Sequence, residues 1–140
     1  MVAFEGRPNT MKPSTRIGAA ASRLVPLLLL ASPVASAELI EIAWTPAGGF
    51  ARTVSVAPGK FVEICGALER GQSVRWTFRA DRPLDFNVHY HADKDVVYPA
   101  RHDASRAAQG TLSVTENREH CWMWSSTHPA PVRLDVSIAR

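Results

Sequence analysis

No stretch of this 140-residue chain is apolar for long enough to cross a bilayer. The longest run, Leu24-Val25-Pro26-Leu27-Leu28-Leu29-Leu30-Ala31, falls far short of the ~20 residues that a spanning helix needs, so stable membrane insertion is not expected. Clustered positive charge is lacking too. Four of the 16 basic residues and one of the 13 acidic residues precede Glu38, so the remainder carries twelve of each. A nucleic-acid binder concentrates Lys and Arg to displace counterions from phosphate, and no such patch exists here. There is no Gly-x-Ser-x-Gly elbow, no His-Glu-x-x-His and no glycine-rich phosphate loop, so no enzyme is expected. A helical apolar stripe is missing as well, apart from one or two turns that Asp103–Ala108 could form.

What is present begins with a leader. A basic head (Arg7, Lys12, Arg16, Arg23), the short apolar run and the small-residue tail Ala35-Ser36-Ala37 are the three parts of a signal peptide. Residues 1–37 are therefore read as a signal peptide and residues 38–140 as one domain, exported to the periplasm or secreted. A head starting at Met11 would have a more ordinary length, and it leaves the exported chain unchanged. Cysteine is scarce, with only Cys65 and Cys121, and neither lies near the cleavage site where a lipid anchor would need one. In an oxidising compartment an even pair reads first as a disulfide, against the alternative of two free buried thiols. Such a bridge would add roughly 4 kcal/mol through loop closure.

After Ala37 the apolar residues recur at every second position, the period of a strand with one buried face. Ile40-Ile42-Trp44, Val54-Val56, Val62-Ile64, Val74-Trp76-Phe78, Leu84-Phe86-Val88-Tyr90, Leu112-Val114, Trp122-Trp124 and Val132-Leu134-Val136-Ile138 all follow it. Turn signals such as Pro58-Gly59, Arg70-Gly71 and Asp81-Arg82-Pro83 separate them. The pattern predicts an all-β antiparallel sandwich of jelly-roll type with one disulfide. Ala92–Gly110 shows no strand pattern and is expected to be a long loop of the functional kind.

Chemistry concentrates on one strand. In Leu84–His91 the apolar residues take one face while Asp85, Asn87, His89 and His91 take the other, placing the two imidazoles about 7 Å apart along the strand. That spacing lets them share a metal ion. In Glu119-His120-Cys121-Trp122-Met123-Trp124 the tryptophans claim the buried face, so His120 joins them while Cys121 and Met123 point outward. Cys65 is likewise out of phase with Val62 and Ile64, which suits a cross-strand bond. If the strands share a sheet, Met123 adds a thioether to His89 and His91, with His102, from the loop, or His128 closing the site. Imidazole with thioether suits copper better than calcium or magnesium, which take oxygen ligands. A blue-copper centre using Cys121 and His128 is disfavoured, because no methionine follows His128 and Cys65 competes for Cys121.

Phe61-Val62-Glu63-Ile64-Cys65 with Leu68, Leu84-Asp85-Phe86-Asn87-Val88, and Glu119-His120-Cys121-Trp122-Met123-Trp124 together resemble the GOLD domain of luminal cargo receptors. The resemblance runs from about Lys60 to Ile138. It implies a jelly-roll-like sandwich, a Cys65–Cys121 bridge and a binding role, and it says nothing about metal. The chain lacks the coiled coil and membrane span of those receptors, and it adds His89-Tyr90-His91 and the paired tryptophans. Two functions follow: an exported metal-binding protein, with copper favoured at His89, His91, Met123 and His102, or an interaction module recognising a protein or lipid partner without metal.

Overall fold

The computed structural model describes residues 38–140, so the expected signal peptide lies outside the described residues. Seven strands form the fold: β1 (Glu38–Glu41), β2 (Gly49–Val56), β3 (Phe61–Leu68), β4 (Ser73–Ala92), β5 (Asp95–Ser113), β6 (Arg118–Ser125) and β7 (Val132–Ala139). There is no helix among the described residues, and hence none able to cross a membrane. The strands join in the order β1-β3-β6-β4-β7-β2, with β5 along the other side of β4. All pairs are antiparallel except β1 with β3.

β4 makes this one sheet serve as two layers. Its first part, Arg75–Ala80, pairs with β7, and its second, Asp85–His89, pairs with β6. Between them lie Asp81-Arg82-Pro83, where the β5 register also shifts. Proline donates no ladder hydrogen bond, so it fits the place where the strand changes partners. Asp81 fixes the corner by accepting from the Arg133 backbone N–H at 3.0 Å. Alternation survives the bend: Val74, Trp76, Phe78 and Ala80, then Leu84, Phe86 and Val88, are all buried in a single core. Phe78 meets Trp124 edge-on at 5.7 Å, so the two ends of the folded sheet pack through aromatic rings.

Two expectations need correcting. The two apolar runs separated by Asp81-Arg82-Pro83 are one continuous 20-residue strand. Ala92–Gly110 is not a loop, nor does Asp103–Ala108 turn into helix. The chain reverses in a two-residue turn, Asp93-Lys94, between the paired Ala92 and Asp95, and then runs back as β5. Asp93 holds φ at 56°, a left-handed geometry that aspartate tolerates and tight hairpins need.

Candidate functional site

The site lies on the outer face of β3, β6 and β4, where the register sets three side chains in a row. Cys65 pairs with Cys121, and Cys121 with His89; one step along, Glu63 pairs with Met123, and Met123 with Asn87. The Cys65–Cys121 disulfide is formed, joining directly opposed residues whose Cα atoms are 4.1 Å apart. β6 thus lies between the two other strands, and Met123 shares a face with His89, as the metal reading requires.

Although it points outward, His89 is buried. Its cover comes from β5, where a register shift opposite Val88–Tyr90 brings the Tyr98 ring to 5.9 Å from the imidazole. Arg101 in turn lies over Tyr98 at 4.5 Å. The exposed His91 ring stands 5.7 Å from that of His89, close to the spacing the strand period predicts. Both nitrogens of His89 are engaged: Nδ1 with Asn87 Oδ1 at 2.8 Å and Nε2 with Glu63 Oε1 at 3.0 Å. Burial, the largest influence, lowers the His89 pKa from its ordinary value; Glu63 raises it and His91 lowers it again. A ring protonated at Nε2 donates to Glu63, whereas a neutral ring protonated at Nδ1 donates to Asn87 and turns an Nε2 lone pair toward the carboxylate, the arrangement in which a metal ion can be shared.

Glu63 is the site residue that sequence reasoning missed. It sits at an outward position of β3, and only the β3–β6–β4 order shows that it faces His89. Among the described residues, Glu63, His89 and Cys121 bring ligand atoms within 4.8 Å of one another, although the disulfide commits the sulfur. The bridge also removes the thiolate that a blue-copper centre would use.

His102 does not join this group. It pairs with Phe86, whose side chain faces the core, and its ring packs 6.0 Å from both Phe86 and Trp76. That places it on the opposite face, at the rim of the core, and removes it from the donor set. His120 is buried on the inner face as expected, its Nδ1 donating to the Arg118 carbonyl at 3.0 Å and its ring 4.8 Å from Tyr90.

No family model matches the chain, and no curated protein does. Solved structures do. Aeromonas hydrophila PliG, a periplasmic inhibitor of g-type lysozyme, is similar with a TM-score of 0.56 at 11% identity, over 73% of this chain and 95% of that one. The Yersinia pseudotuberculosis-derived mitogen gives 0.53 at 10%, over 65% and 84%. The pre-peptidase C-terminal domain of a Bacillus anthracis collagenase gives 0.54 at 8%, over 74% and 94%. At such identities the likeness establishes the shared all-β fold.

Proposed function

We propose that this chain is an exported binding protein that holds one copper ion per molecule at the outer face of β3, β6 and β4. The observation that carries the reading is the His89 Nε2 to Glu63 Oε1 separation of 3.0 Å. Two ligands about 2.0–2.2 Å from one ion, at right angles, stand roughly 3 Å apart, so the pair is spaced as cis ligands are. His91 supplies a second imidazole from the exposed side, and Met123 a thioether from the same face. Isothermal titration of the purified, tag-free protein with Cu(II) tests this. One equivalent should bind, and His89→Ala or His91→Ala should each weaken binding at least tenfold, whereas His120→Ala, altered on the other face, should not. Met123→Leu should weaken Cu(I) more than Cu(II), because soft sulfur favours the reduced ion.

A specific observation supports a second reading. Val96, Val97 and Tyr98 are exposed together near the tip of the β4–β5 hairpin, on a strand with one unpaired edge. Aromatic and branched side chains on such an edge suit a protein partner. This is the metal-free interaction module that the GOLD resemblance implies, and PliG is itself an inhibitor of a protein, g-type lysozyme. If the His89/His91 double alanine variant binds copper as tightly as the unaltered protein, the partner reading replaces the metal reading.

A further inference from the structure

We infer that opening the Cys65–Cys121 bond converts the same corner of the outer face into a second, softer metal site, built from both sulfurs, His89 and Glu63. The inference rests on the His89–Glu63 geometry used above and adds a redox condition to it. In the closed state the sulfurs are spent on each other, 2.10 Å apart. Register nevertheless aligns Cys65, Cys121 and His89 on three neighbouring strands of one face. Cys121 Sγ, a His89 nitrogen and a Glu63 oxygen lie within 4.8 Å of one another, and the two sulfurs lie equally near a Glu119 oxygen. Ligands of one tetrahedral ion, with metal–sulfur bonds of about 2.3 Å and metal–nitrogen bonds of about 2.0 Å, stand roughly 3–4 Å apart. Three of the four donors are thus already gathered, and Cys65 Sγ, bonded to Cys121 Sγ, is the one that must turn toward His89 and Glu63 when the bond opens. The eight residue pairs between β3 and β6 hold the strands in place while the sulfurs part.

The chemistry balances with a dithiol reductant. It supplies two electrons and two protons to Cys65 and Cys121 and closes its own disulfide in exchange. A divalent ion then binds both sulfurs as thiolates and releases the two protons. The bound ion supplies the positive charge that compensates the two thiolates at these buried positions. Entry is open from the side of Glu63, which is half-buried, and of the exposed His91. Two thiolates with an imidazole select Zn(II), Cd(II) or Cu(I) over calcium or magnesium.

Cadmium titration of the protein with and without a phosphine reductant, which ends as its oxide and leaves the thiols free, tests the idea. The reduced protein should show ultraviolet thiolate-to-cadmium absorption saturating at one equivalent; the oxidised protein should show none. His89→Ala and Glu63→Gln should each weaken reduced-state affinity at least tenfold, which distinguishes a built site from two thiols on an unfolded chain. If reduction alone loosens the fold, one equivalent of cadmium should restore the native tryptophan emission. Reduced protein without the absorption overturns the proposal, as do variants that bind like the unaltered protein, or cadmium that fails to restore the fold. The copper reading fails separately, in the oxidised arm.

Discussion

At the scale of single residues, the structure gives roles to side chains whose chemistry alone suggests something else. Gly110 has no turn to make. It is glycine because Trp76 lies across it, and a Cβ there would stand 2.5 Å from Trp76 Cζ2 and 2.9 Å from Cε2. Gly110→Ala should therefore lower stability by about 1–3 kcal/mol, the usual cost of overpacking a filled core. Urea unfolding measures it, and a variant as stable as the parent would show that the indole swings aside freely. His120 is a different case. Burial lowers its pKa, with the Arg118 carbonyl and Glu116 opposing, so the folded protein prefers the neutral ring. The unfolded chain takes up the proton first, near its reference pKa of about 6.5. The stability that neutral His120 contributes is thus present above that pH and falls as pH drops toward the lower folded value. Denaturation midpoints recorded between pH 7 and 5 should decline less steeply for His120→Gln than for the parent, and parallel curves would remove His120 as the cause.

At the scale of elements, the disulfide joins β3 to β6, the strands that carry Glu63 and Met123. It closes a separation of 56 residues, and on the chain-entropy estimate the Cys65→Ser/Cys121→Ser variant should lose about 4 kcal/mol. Thermal unfolding gives the figure, and a loss under about 1 kcal/mol would mean the ladder alone fixes these strands. The bridge, the strand character of β4 and the outward faces of His89 and Met123 were all legible in the sequence, because each strand has one buried face and alternation reports it directly. β5 was not legible. Most of its residues from Asp95 to Ala107 are exposed, so no apolar period marks it. Its pairing comes from β4 and from a bulge where Asp85 accepts the Ala104 N–H at 2.8 Å, a contact between residues 19 apart. Missing β5 led to one specific error. His102 was assigned to a loop free to reach back over His91, whereas the ladder commits it to the face of Phe86. Glu63 escaped for a related reason: period shows which face a residue takes, but not which strands are neighbours.

At the scale of the whole molecule, the bend in β4 determines how the two ends of the sheet depend on each other. β7, with β2 beyond it, pairs with its first part, β6, with β3 beyond it, pairs with its second, and no ladder joins β7 to β6. What unites them is the core, and Phe78 is its hinge: its ring stands 4.9 Å from Phe86 and 5.7 Å from Trp124, beyond the corner. A single shared core should unfold as one cooperative unit. Phe78→Ala removes a ring that is 2% exposed and should cost about 3–5 kcal/mol. Because the core is common, the loss should spread well beyond the strand that carries the substitution. Amide hydrogen exchange should show protection falling by the same amount in β6, which bears Cys121 and Met123, as in β7, which pairs with Phe78 through Val136. Loosening confined to β2 and β7 would show two independently stable halves, and the outer face that carries Glu63, His89 and Met123 would then owe its rigidity to the disulfide and its own strands rather than to the core behind it.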